Sequence, residues 1–195
     1  MKLSKKGEYA LRALIDLGIA AEVGRSLVQI GELAASERLP IQFLEQIMQL
    51  LKEEGFVESQ RGKFGGYRLA RPAARIAVGQ VVRVIDGPLA PIGCVSQTAY
   101  ERCSCPDEAH CGLRMLMLDV RNAITSILDR HSLADVVEVT LRKMRRDGVT
   151  LPYTQPARAA RPVRERRPRA RVSPAAARLQ PVEGLINNLL GDYTI

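Results

Sequence analysis

The chain has 195 residues, with 29 Lys and Arg against 21 Asp and Glu, four Cys, five Tyr, three Phe and no Trp. That length fits one domain with its own core plus an appendage, and a hydrophobic share of 46% is ordinary for a globular protein. No apolar stretch approaches the roughly 20 residues needed to cross a bilayer, and the basic start Met1-Lys-Leu-Ser-Lys-Lys6 leads to Arg12 and Asp16 rather than to an apolar export signal, so a cytoplasmic protein with no membrane partner is expected.

From Gly7 to Ala20, the residues Leu11, Leu14, Ile15 and Leu17 with Ala10, Ala13 and Gly18 make one stripe, while Glu8, Arg12 and Asp16 lie on another side; this spacing predicts a first helix. A short second helix is expected over Gly31–Ser36, with Ile30, Leu33 and Ala34 inward. After a break at Glu37–Pro40, a third helix runs from Ile41 to about Glu54. Pro40 suits its start because proline lacks the amide hydrogen that would be unpaired there, and Gly55 ends it. Its apolar side is Phe43, Leu44, Ile47, Leu50 and Leu51; its polar side is Gln42, Glu45, Gln46, Gln49 and Lys52.

Two helices around a four-residue break, the second presenting amides and a carboxylate, form the pattern of a helix-turn-helix whose second member enters the major groove of double-stranded DNA. Gln can pair with adenine there, and Glu can accept from the cytosine amino group. A polar helix face is also what a merely solvated helix presents, so this feature does not establish DNA binding alone. The next residues add to it. Phe56–Gln60 reads as a strand, Arg61–Gly66 as a glycine-rich tip and Tyr67–Ala70 as the returning strand, which together make a wing. Arg61, Lys63 and Arg68 lie on or beside this wing, positioned for phosphates or the minor groove. A nucleotide-phosphate loop is excluded, because Phe64 follows Lys63 where Ser or Thr is needed.

Beyond Pro72, Ile76, Val78, Val81, Val82, Val84 and Ile85 predict a fourth helix, ending at Asp86-Gly-Pro88. Cys94, Cys103, Cys105 and Cys111 then fall within eighteen residues. Such clustering without an export signal argues against structural disulfides. The spacing C-x8-C-x1-C-x5-C lacks the paired C-x2-C knuckles of a common zinc site, so an iron-sulfur cluster is favoured, with zinc and a thiol switch as alternatives. Next, Leu113, Leu116, Met117, Val120, Ala123, Ile124, Ile127 and Leu128 mark a long helix whose apolar stripe suits dimerisation or burial against its own domain. Residues 151–195 are expected to form a disordered Arg- and Pro-rich tail, +5 in charge from eight Arg against three acidic residues, with an amphipathic stretch at Val182, Leu185, Ile186, Leu189 and Leu190 that could dock on the body or on a further partner. The tail reads equally as a solubilising linker or as a weak nonspecific nucleic-acid binder. His110 and His131 stand outside any nucleophile or base constellation, so an enzyme is not expected.

The segments Met1–Ala13, Phe43-Leu-Glu-Gln46, Arg61-Gly-x-x-Gly-Gly-Tyr-Arg-Leu69, Val78-Gly-x-Val-Val82, Gly87-Pro-Leu89 and Cys105-x5-Cys111-Gly-Leu113 occur in order over most of residues 1–140. Through them the chain resembles the Rrf-type family of winged-helix iron-sulfur transcriptional regulators, the group of the IscR, NsrR and RirA regulators. The resemblance implies that Glu45 and Gln46 touch bases, that Arg61 reaches the minor groove, and that Cys94, Cys105 and Cys111 hold a 2Fe-2S or 4Fe-4S cluster. Cys103 is extra and could replace Cys105 or serve as a fourth ligand. In some members a carboxylate of the other subunit completes the iron coordination, and Glu8 occupies that place; a His used by one subgroup is matched by Arg114, with His110 displaced nearby. The wing carries Lys63-Phe64 where the family has Pro and Gly.

The expected protein is therefore mainly α. It comprises a winged helix-turn-helix domain (1–87), a cysteine-rich cluster loop (88–112), a dimerisation helix with a following helix (113–150) and the tail. The expected function is that of a homodimeric repressor whose operator binding responds to iron, redox or nitric-oxide status through the cluster. The alternative is a zinc- or thiol-based regulator.

Overall fold

A computed structural model describes residues 3–154; the expected tail from residue 155 onward, with its amphipathic stretch, lies outside the described residues. The order of elements is α1 (Lys5–Glu22), α2 (Ile30–Glu37), α3 (Ile41–Glu53), β1 (Val57–Gln60), β2 (Gly66–Leu69), α4 (Val78–Asp86), α5 (Gly112–Arg130) and α6 (Leu133–Arg146), with single 3-10 turns at Ala73–Arg75 and Gly93–Val95. No helix among the described residues is long and apolar enough to cross a membrane.

Helix α1 is the axis on which the rest is assembled. Ser4 caps it by accepting from the Gly7 amide at 2.9 Å, while the Ser4 amide donates to Asp86 at 2.8 Å and so ties the start of α1 to the end of α4. Ala10, Ala13, Leu14 and Leu17 are buried beneath α2, α3, α4, α6 and β2. Helix α2 ends at Arg38, whose left-handed φ of 54° turns the chain, and Pro40 then opens α3. In α3 the fully buried residues are Leu44, Ile47, Met48 and Leu51. Phe43 and Leu50 are only half-buried, so the inward face is turned toward Met48 relative to the expected stripe.

The wing is a two-stranded antiparallel hairpin with Val57 opposite Leu69 and Gln60 opposite Gly66. Strand β2 is held on its other edge by Val28, which exchanges backbone hydrogen bonds of 3.0 and 2.8 Å with Tyr67. Helix α4 begins two residues later than the periodicity predicts. Ile76 is fully buried, but its carbonyl accepts from the Leu133 amide at 2.8 Å and the Val78 amide donates to His131 at 3.0 Å, so tertiary backbone pairing holds Ile76 and Ala77 extended. Arg83 of α4 grips Asp129 of α5 in a two-point ion pair at 2.7 and 2.6 Å.

Leu151 and Tyr153, expected in the tail, instead pack against the core. Composition placed them with the Arg-rich segment, but their apolar surface finds a seat beside α1. The Tyr153 hydroxyl donates to Asp16 Oδ2 at 2.7 Å, and Asp16 also meets Ser36 and Glu37 at the end of α2, where Glu37 pairs with Arg12. Burial pushes the Asp16 carboxyl above the usual range, against the hydrogen bonds from Tyr153 and Ser36; burial and then Asp16 push Glu37 upward too. A carboxyl whose folded pKa is raised stabilises the fold most fully below its unfolded pKa of about 4, and that contribution is lost as pH rises through the folded value. Asp16→Asn, which can still accept from Tyr153, is expected to flatten this loss. Urea midpoints across acid to neutral pH will show the wild type falling relative to the variant; parallel profiles would contradict the assignment.

Candidate functional site

Two surfaces carry the chemistry. On the first, Gln42, Glu45, Gln46 and Gln49 all stand exposed on the side of α3 opposite its buried Leu44, Ile47 and Leu51, as helical periodicity requires. Gln49 donates to Glu53 at 2.7 Å. Arg61 and Lys63 are exposed on the hairpin tip. Arg68 is engaged across the hairpin with Glu58 at 2.7 Å, so it is not a free cation of the wing. Between α3 and the wing runs an open groove of about 500 Å³ lined by Gln29, Gln49, Lys52, Gln60, Arg61 and Lys63. Gln29 was not singled out by its sequence context; it reaches the wing as the residue capping α2, where it joins a reciprocal capping box with Glu32.

The second surface is a cavity of about 310 Å³ lined by all four cysteines together with Glu101, Arg102 and Arg114. Cys94 is buried, Cys103 and Cys111 are half-buried and Cys105 is exposed, and all four are free thiols. Cys103 lies beside both Cys94 and Cys105, and Cys105 lies beside Cys111. Burial and then the neighbouring Cys103 and Glu108 push the Cys94 thiol up, while the Cys105 thiol is pushed up to about 11, first by its hydrogen bond with Cys103 and then by burial. Sulfur atoms gathered on one cavity are the donor set a soft metal centre requires, and Cys103 lines that cavity with the other three. Among the described residues, no group of three or more His, Cys, Asp or Glu is arranged to hold a metal ion as it stands.

Beside this cavity, Glu108 accepts from the Tyr100 hydroxyl at 2.8 Å, pairs with Arg114 at 3.2 Å and lies 3.9 Å from the Cys103 sulfur. Spacing alone gave no signal for Glu108. It is met only when the loop folds back on the start of α5. His110 is exposed and bound to Asp107 at 2.7 Å, away from the cavity lining. Glu8 also does not line the cavity; it pairs with Lys5 at 2.8 Å and Arg12 at 3.5 Å, the Lys5 hydrogen bond holding its carboxyl below the usual range.

The last thiol is joined directly to a helix. Cys111 is the N-cap of α5, its carbonyl accepting from Met115 at 3.2 Å. No residue of α5 is fully buried. Leu113, Leu116, Val120, Ala123 and Ile127, spaced alternately by three and four, all lie exposed along the helix, while Met117, Ile124 and Leu128 are half-buried.

The Rrf2 family profile, described as an iron-dependent transcriptional regulator, matches residues 3–139. An rrf2-like HTH-type transcriptional regulator of Rhodobacter capsulatus is 37% identical over 139 residues, covering 69% of this chain and 91% of that protein. Among solved structures, CymR of Bacillus subtilis aligns with a TM-score of 0.60 at 29% identity over 71% of this chain and 98% of its own. The IscR of T. potens aligns with a TM-score of 0.56 at 28% identity over 78% and 95%. These relatives are regulators of transcription rather than enzymes, and the matched stretch takes in the helix-turn-helix and hairpin described above together with the helices that follow them. The chain belongs to the Rrf2 family of winged helix-turn-helix transcriptional regulators.

Proposed function

We propose that this regulator binds its operator as a homodimer, acting as a cytoplasmic repressor, and that an iron-sulfur cluster held by Cys94, Cys103, Cys105 and Cys111 controls that binding. The carrying observation is the meeting of four free thiols on one cavity whose last member caps α5. The cavity's donor set fits such a group, since thiolates gathered this closely need a cation to coexist. When bound, the cluster supplies a link among the thiolates that is sensitive to iron supply, oxidants and nitric oxide. Such a cluster takes four protein ligands, so Glu8 of the second subunit stands as the alternative to Cys103 for the fourth position.

The residues of this chain then have definite tasks. Glu45 and Gln46 meet base edges, with Gln42 and Gln49 flanking them, and Arg61 and Lys63 reach the backbone or minor groove. Leu113, Leu116, Val120, Ala123 and Ile127 form a seam against the same seam of a second copy. Two-fold pairing places two recognition helices about 34 Å apart, one turn of DNA. Because Cys111 starts α5, and Arg83–Asp129 couples α5 to α4, a change in how the cysteine loop is held tilts each winged domain relative to the seam.

Anaerobic purification followed by visible absorption, iron and sulfide analysis tests this. Coloured protein with stoichiometric sulfide is expected, bleached by Cys94→Ala, Cys105→Ala or Cys111→Ala; Cys103→Ala is expected to weaken the colour or hasten its loss. Glu45→Ala and Gln46→Ala should each cost about 1 to 3 kcal/mol of operator binding and relax sequence choice. A second reading is favoured by the gathering of the thiols on one cavity and by the related CymR of Staphylococcus aureus, which has been solved in an oxidized form: these cysteines sense oxidants or zinc directly. It predicts colourless protein with titratable thiols or bound zinc.

A further inference from the structure

The wing ends in an aromatic ring that its own fold leaves in water. Phe64 is 76% exposed at the tip of the β1–β2 hairpin, while the other two phenylalanines, Phe43 and Phe56, are half-buried and fully buried. The tip is a built structure. Gly62 takes a φ of 115°, which a side chain rarely permits, and its carbonyl accepts from the Gly65 amide at 2.9 Å. Gly65 lies so near the preceding strand that an added Cβ would stand 2.1 Å from the Gln60 carbonyl oxygen. The turn is also pinned to the helix-turn-helix, because the Gln29 side chain at the start of α2 donates to the Lys63 carbonyl at 3.4 Å. Phe64 is thus presented from a turn that is closed on itself and tied to the start of α2.

Cations flank it on the turn. The Lys63 ammonium lies 5.6 Å from the ring centroid, and Arg61 is exposed on the same turn. An apolar tip rimmed by cations complements the DNA minor groove, where phosphates form the walls and stacked base edges the floor. Neither a bare apolar patch nor a bare cationic loop matches both features. We propose that Phe64 is an apolar wedge that enters the minor groove beside the segment read by α3, partly unstacking one base step and favouring flanks that deform easily. The proposal deepens the reading of the hairpin as a DNA-contacting wing and rests on it.

The test uses the full chain and a 40-base-pair duplex enriched from random sequence by the wild-type protein, carrying 2-aminopurine at single positions along each flank. Wild-type binding is expected to raise 2-aminopurine emission at one flanking step of each half-site. Phe64→Ala should abolish that rise and weaken binding about tenfold, the order found for lost base–aromatic contacts. The slope of affinity against salt should stay unchanged, since no phosphate contact is removed. Phe64→Leu should restore most of the affinity, and flanks with a TA step should be preferred over AA by the wild type but not by Phe64→Ala. Unchanged emission and affinity in Phe64→Ala, with Arg61→Ala still weakened, overturns the wedge and leaves the wing reading standing. A Phe64→Ala loss accompanied by a smaller salt slope also overturns it, by showing that phosphate contacts were disturbed. If Arg61→Ala and Phe64→Ala both bind as the wild type does, the wing reading fails and the wedge with it.

Discussion

Replacing Leu116 and Val120 by Glu is expected to leave a folded monomer whose operator affinity is lower by about 100-fold or more. Both side chains are exposed on α5 and belong to the proposed seam from Leu113 to Ile127. Within one chain the substitutions therefore remove little burial, and the helical circular dichroism and urea midpoint of the isolated fold should hold. In a dimer they place four carboxylates in a seam that would otherwise bury Leu and Val side chains, each contributing about 1.5–3 kcal/mol when fully covered. Loss of pairing makes each half-site bind alone, and avidity of about 10² to 10⁴ disappears with it. Light scattering coupled to size exclusion reads the mass, and fluorescence anisotropy reads the affinity. A variant that keeps the dimer mass would show that α5 is not the seam.

Phe56→Ala is expected to cost about 3–5 kcal/mol of stability, the range for removing a large buried aromatic side chain. Phe56 is fully buried between the end of α3 and the start of β1. Its amide donates to Leu51 at 2.9 Å and its carbonyl accepts from Ala70 at 3.0 Å, so this one residue joins the recognition helix to both strands of the wing. The Arg71 guanidinium covers its ring at 4.8 Å from the centroid. Removing the ring leaves a cavity at the pivot between α3 and the hairpin. Chemical denaturation should show the loss, and at a temperature where the variant remains folded, operator binding should fall as well, because the two DNA-facing elements lose their common support. Phe56→Leu should recover much of both. A loss below about 1 kcal/mol for Phe56→Ala would mean that the pivot collapses without penalty.

The helix-turn-helix and wing were legible because their signals are local. Pro40 and Gly55 bracket α3, the alternation of inward Leu44 and Ile47 with outward Glu45 and Gln46 follows from 3.6 residues per turn, and the glycines of the tip mark the hairpin. Where the reading slipped, a partner distant in sequence decided the outcome. Ile76 has helical spacing relative to Val84, eight residues on, yet Leu133 and His131 draw its neighbourhood into extended pairing. Tyr153 sits in a segment whose composition speaks for a tail, yet Asp16, 137 residues away, supplies an acceptor for its hydroxyl.

By itself, the order of residues determined that this protein would place a polar recognition helix beside a basic hairpin, follow it with closely spaced thiols and carry a heptad-like apolar seam. Each of those features is written in spacings of a few residues, which the chain's own geometry converts into faces and turns. Only the tertiary structure decided that Cys103 joins the other three thiols on one cavity, that Glu108 and Arg114 stand beside them, that Arg68 is spent on Glu58, and that Asp16, Glu37 and Tyr153 meet under α1. Such meetings depend on how far each helix slides and turns when the shared core closes around α1, and no local spacing encodes that sum of distant contacts.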